Sequence, residues 1–246
     1  MDPRPNPAVM PVPTVLPTAD DAAAAGASGT RASAVYSRLR RDIVTNKLRA
    51  GEKLRVESIT TRYGVGPTPV REALNRLSTE GLVQLQDQRG FRVAPISRDD
   101  LLELTRTRGW LNEILLRESI RHGDETWEEG IVLAFHRLSR TPNRLPDDPG
   151  AMEPAWEQRH QAFHHALVCA CPSHLLLAFH ARLFESADRY RHLAAGRSPA
   201  GHRDVPDEHR AIMEAVLGRR TDEAIRLLNA HTELTTRTLL EVIDAA

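Results

Sequence analysis

The segment Gly64-Val65-Gly66-Pro67-Thr68-Pro69 constrains the fold of this chain more than any other, because it separates two helical patterns by three residues and fixes where the second begins. Gly64 suits the left-handed turn that closes a helix over about 56–63. Gly66 is a cap, Pro67 fits the first helical position, and Pro69 still lies in the first turn, where its missing N–H breaks no bond. Beyond them Val70, Ala73, Leu74 and Leu77 recur at helical spacing until Gly81. Two helices joined by so short a turn predict a helix-turn-helix.

The flanks fit that reading. Val35, Leu39, Ile43 and Leu48 fall near helical spacing from Arg31 onward, in a helix that stops before Gly51. The runs 82–86 and 91–94 read as strands joined by the turn Asp87-Gln88-Arg89-Gly90, a hairpin of the kind called a wing. Pro95 ends the second strand, and Ser97 with Asp100 forms a capping pattern for the next helix. The remainder is helical throughout, with six helices expected at about 98–121, 125–139, 152–170, 173–194, 205–217 and 221–243. Residues 1–29, rich in Pro, Ala, Asp and Gly without apolar periodicity, read as a disordered tail. The expected fold is mainly α: a winged helix-turn-helix at 30–96, then an all-helical antiparallel bundle at 97–246.

Charge divides the chain at the same place. Residues 31–98 hold 14 Lys and Arg against 6 Asp and Glu, whereas residues 99–246 hold 18 against 24, so a formal net charge of zero conceals a basic module joined to an acidic one. A compact basic segment is what phosphate neutralisation on DNA requires, although a solvated basic face has the same composition. No stretch approaches the roughly 18 apolar residues of a membrane span, and no basic leader precedes an apolar run, so a cytoplasmic protein is expected. Cys169 and Cys171 are too close to bridge comfortably and have no second pair to complete a thiolate metal site.

The run from Tyr63 through Thr68-Pro69-Val70-Arg71-Glu72-Ala73-Leu74 to Leu77, with Glu80-Gly81-Leu82-Val83, Arg89-Gly90-Phe91-Arg92-Val93 and Gly51-Glu52-Lys53-Leu54, resembles the GntR family of transcription regulators. The resemblance implies that the second helix of the motif enters the major groove of double-stranded operator DNA while the wing touches the backbone or minor groove. It assigns DNA contacts to Thr68, Pro69, Arg71, Arg76, Arg89 and Gly90. Arg71 opposes the apolar face and has the fork to meet a guanine edge or a phosphate, though an ordinary surface arginine would look the same. Where the family usually has Ser-Arg or Thr-Arg, this chain has Gly66-Pro67; Arg55 and Arg62 are the candidates to replace the lost contact through phosphates.

The helical half carries four informative histidines. His160 and His164 are four residues apart and share a helix face, a spacing that lets two imidazoles hold one ion. His209 and His231 fall on the last two helices, and an antiparallel pairing there brings both rings to one level. Through Asp100-Leu101, Glu103-Leu104, Arg108 and Leu111, this half resembles the FCD effector domain of FadR-like regulators. Its metal site implies His164, which follows Phe163, together with His209 and His231 as ligands, with His160 in a position that usually holds Asp. An all-His set favours zinc, nickel or copper over manganese or magnesium, with zinc or nickel expected first. The resemblance further implies a small-molecule effector, a carboxylic acid in this reading, with Arg108 and Asn112 as partners and Arg106 as an alternative. His165, His174 and His180 are read as surface or core histidines.

Dimerisation follows from DNA reading, because one short helix reads too few base pairs and two-fold symmetry doubles them. The expected function is a homodimeric, ligand-responsive regulator, a repressor by family habit. Two rivals are a constitutive DNA-binding protein whose helical half only dimerises, and a metal-dependent hydrolase with Glu157 as base. The second leaves the basic module unexplained.

Overall fold

Val35, Leu39 and Ile43 lie at helical spacing on one face and are almost wholly inaccessible to solvent. They pack α1 (Ala19–Val44) against α3 (Pro67–Thr79) in the core of the N-terminal unit. The computed structural model describes residues 19–86, 89–148, 151–194 and 204–245, with backbone alone for 19–30. α1 begins at Ala19, inside the stretch expected to be disordered through residue 29. Residues 22–25 are four consecutive alanines, and alanine's intrinsic propensity favours helix without any apolar stripe, which is why periodicity gave no signal there. The rest of that expected tail, 1–18, lies outside the described residues.

The helix-turn-helix is α2 (Val56–Tyr63) and α3. Gly64 closes α2 at φ 67°, its N–H bonded to the Thr60 carbonyl, in a left-handed conformation that costs glycine nothing. Gly66 is the N-cap of α3 and Pro67 its first residue. Val70, Ala73, Leu74 and Leu77 are buried, and burying a Val or Leu side chain contributes on the order of 1.5–3 kcal/mol. Tyr63 anchors the end of α2 by donating its hydroxyl to Asp42 on α1 at 2.5 Å.

The wing is β2 (Val83–Gln86) and β3 (Gly90–Val93), paired antiparallel from Val83 opposite Val93 to Gln86 opposite Gly90. A third strand, β1 (Lys53–Leu54), pairs with the other edge of β3. At two residues it is too short for alternation to announce it.

The helical half comprises α4 (Arg98–His122), α5 (Glu125–Ser139), α6 (Pro154–Val168), α7 (His174–Ala194), α8 (Val205–Leu217) and α9 (Thr221–Asp244). Side-chain caps mark several of the starts: Ser97 Oγ accepts the Asp100 N–H, Asp124 that of Trp127, Glu153 that of Ala155, and Asp204 that of Asp207. α4 and α9 run antiparallel, joined by Arg98 to Asp244 at 2.5 Å and by the Thr105 and Thr236 hydroxyls at 2.7 Å. Leu115, Leu116, Ile131, Phe163, Leu167 and Ile212 fill the core between them and α5, α6 and α8. Among the described residues no helix is long and apolar enough to cross a membrane.

Candidate DNA-binding face and metal centre

α3 presents Thr68, Arg71 and Arg76 on the side away from its apolar face, all three exposed, and Arg89 and Gly90 stand exposed at the tip of the wing. Arg55, the N-cap of α2, is also exposed. Pro69 is half-buried in the first turn of α3. Two of the basic side chains have local partners. Arg76 lies over the Tyr36 ring at 3.8 Å and 3.6 Å from Glu80, and Arg62 is 3.6 Å from Asp42. Thr68, Arg71, Arg89 and Arg55 are exposed on the surface of this unit.

In the helical half, α6, α8 and α9 bring His160, His164, His209 and His231 together, all buried, with one ligand atom from each within 4.8 Å of the others. The Nε2 atoms of His160 and His164 are 3.1 Å apart. That separation is close enough for both nitrogens to hold one ion. Trp156 stacks on His160 at 4.5 Å between ring centroids, while Phe163 and Phe184 wall the cluster. Burial holds the His160 and His164 imidazoles well below the ordinary histidine range, so both keep a lone pair at neutral pH. A four-nitrogen donor set of this kind fits a borderline divalent ion.

His231 makes a further contact that sequence reasoning missed: its Nδ1 lies 2.7 Å from the Glu208 carboxylate. An N–H donated there fixes the tautomer and leaves Nε2 as the nitrogen with the lone pair. A carboxylate adjacent in sequence to a candidate ligand, as Glu208 is to His209, was the available signal.

Three of the four rings, His160, His164 and His231, line a cavity of about 150 Å³; its walls include Arg108 from α4, Arg191 from α7 and Thr232 and Thr235 from α9. Arg108 is half-buried, but its Nε is shielded from solvent and makes no hydrogen bond among the described residues. Burial lowers its guanidinium to about 10, and lowers that of Arg191 to about 9 with Arg108 as the next cause. Both lie over the Phe184 ring, at 5.3 and 4.8 Å. Arg191 was not foreseen.

The other expected effector residue, Asn112, does not line the cavity. It is buried one helical turn beyond Arg108, where α4 has passed the cavity and packs on α9, with its amide 3.5 Å from Asn229. Arg106 opens onto a different groove beside Leu102, Gly109 and Trp110. His165 and His174 are exposed, whereas His180 is buried against Phe184. Glu157, the base of the hydrolase reading, is engaged with His192 at 2.7 Å.

A winged helix-turn-helix with an exposed basic face, joined to a helical domain with a histidine- and arginine-lined cavity, is the architecture of a DNA-binding transcription regulator. The chain belongs to the GntR family of bacterial regulatory proteins, in its FCD branch: residues 31–93 match the bacterial regulatory proteins, gntR family, and residues 103–234 match the FCD domain. It is 41% identical over 201 residues to an uncharacterized HTH-type transcriptional regulator, BphR, of Paraburkholderia xenovorans, covering 81% of each chain. It is 37% identical to the HTH-type transcriptional repressor GlaR of Escherichia coli, covering 80% of this chain and 90% of that one. Among solved structures, Escherichia coli McbR/YncC shares the fold with a TM-score of 0.70 at 17% identity, over 86% of this chain and 97% of the other.

Proposed function

We propose that the chain is a homodimeric repressor whose residues 30–96 bind a pseudo-palindromic operator, through Arg55, Thr68, Pro69, Arg71, Arg76, Arg89 and Gly90. In this reading residues 97–246 dimerise and bind a small carboxylic acid through a zinc or nickel ion on the four histidines. The observation that carries it is a cluster of four buried imidazoles, three of which line a cavity that also holds the half-buried cation Arg108. A divalent ion there would add positive charge beside Arg108 and Arg191, which Asp188 on Arg191 and Glu208 on His231 offset in part, so an anionic ligand is the complementary guest. When bound, the metal supplies open coordination positions for carboxylate oxygens. Arg108 orients the ligand's charge, and the Trp156 and Phe184 rings exclude water around the cluster. The sign of regulation is supported by the GlaR relative, which is named a repressor.

The deciding experiment is elemental mass spectrometry of purified protein beside a His164→Ala, His209→Ala double variant. About one zinc or nickel per chain in the wild type, absent from the variant, is the expected result. No metal in either, after soaking, overturns the reading.

A further inference from the structure

Helix α7 touches both halves of the molecule within eight residues. On one side Phe184 packs against His160 and His164, with ring centroids 5.5 and 5.2 Å away, and Arg191 lines the cavity. On the other, Glu185 pairs with Arg40 of α1 at 2.5 Å. Arg189, also buried, donates to the Ala94 and Pro95 carbonyls of the segment leaving the wing, and Tyr190 donates to the Ser97 carbonyl at 3.5 Å. Arg40 in turn lies 3.9 Å from Glu80 at the end of α3, and Glu80 accepts the Tyr36 hydroxyl.

A buried arginine whose hydrogen bonds, among the described residues, go to backbone carbonyls is an expensive way to hold a linker, since desolvation lowers its guanidinium without a carboxylate to compensate. Such a contact does one thing an apolar contact does not: it fixes the rotation of α7 relative to particular carbonyls. Residues 184 and 191 fall seven apart, two helical turns, so they share the cavity face. Residues 185 and 189 share the adjacent face. Any rotation of α7 that accommodates a ligand therefore displaces both sets together.

We propose that α7 is the element that transmits cavity occupancy to the DNA-binding unit, with Phe184 and Arg191 as its input and Glu185 and Arg189 as its output. Arg191, paired on its own helix with Asp188, meets the anionic ligand, and Arg189 and Glu185 are positioning residues that act through the linker at 94–97 and through α1. This inference rests on the metal-dependent reading of the cavity for its ligand. Coupling needs only that the two placements of α7 bind ligand unequally.

The test uses the full chain, zinc ion as probe, and an operator selected from random duplex DNA. Wild type is expected to change its operator dissociation constant by about fivefold or more between zinc-loaded and chelated forms. The Glu185→Gln, Arg189→Met variant is expected to take up the same zinc while its operator affinity stays the same in both forms. An equal response in the variant, or none in a zinc-loaded wild type, overturns the proposal. If no zinc binds, it is the metal reading that fails. Transmission is then decided without ligand by a double-mutant cycle of Phe184→Leu and Arg189→Met on operator affinity, where non-additivity of about threefold supports it and additivity overturns it.

Discussion

His231 and Glu208 stand 2.7 Å apart across the α8–α9 pair, and neither faces the other by accident of local sequence: they are 23 residues apart. The carboxylate orients the ring for the cluster. Glu208→Gln keeps the shape but weakens the acceptor, and zinc affinity measured by chelator competition is expected to fall about 10- to 100-fold. Unchanged affinity would mean that His231 is held by packing alone.

Arg71 is exposed on the reading face of α3, opposite the buried Val70, Ala73, Leu74 and Leu77. Arg71→Ala is expected to cost about 1–3 kcal/mol of specific operator binding and to relax sequence preference, while non-specific duplex binding changes little. Titration of labelled operator against random duplex separates these. Equal losses on both would reassign Arg71 to a phosphate.

Arg108 combines a cavity position with a buried Nε that makes no hydrogen bond among the described residues. Arg108→Met removes that desolvated charge and keeps most of the volume. The ligand-free variant is expected to be at least as stable as wild type in urea denaturation, by on the order of 1 kcal/mol, while the carboxylate response disappears. A clear loss of stability would make Arg108 a structural residue.

His180, buried against Phe184, titrates at about 4 in the folded protein instead of 6.5, through burial first and then Arg108 and His165. Between those two values the unfolded chain binds the proton and the folded chain does not, so stability falls as pH drops from 6.5 to about 4. Its share of the loss is on the order of 3 kcal/mol. His160 and His164 act in the same direction in metal-free protein. His180→Phe is expected to flatten the decline of chelated protein over this window, and an unchanged slope would exclude His180 as its source.

Sequence periodicity located the six helices of the effector half because each has a strong stop: Gly123, the 142–150 segment, Pro172, the 196–206 segment and Gly218. It located the four histidines because His160 and His164 share a face and because α8 and α9 form a hairpin. Arg191 and Glu208 stayed hidden for the opposite reason. Their roles depend on where α7 crosses the cavity and how α8 is rotated against α9, and neither is encoded in spacing along one helix. Asn112 was misplaced by the same gap: it shares a face with Arg108, but the cavity ends before that face does. The two-residue β1 and the alanine-driven start of α1 carry no apolar alternation to detect.

Of the four imidazoles, His160, His164 and His231 open onto the cavity, with His209 set behind them. If an ion were held by all four, the described residues would leave it approachable from the cavity side, which is also where the proposed carboxylate would sit. Loading would then be ordered, ion first and acid second, and metal exchange would run on the clock of effector release rather than on its own.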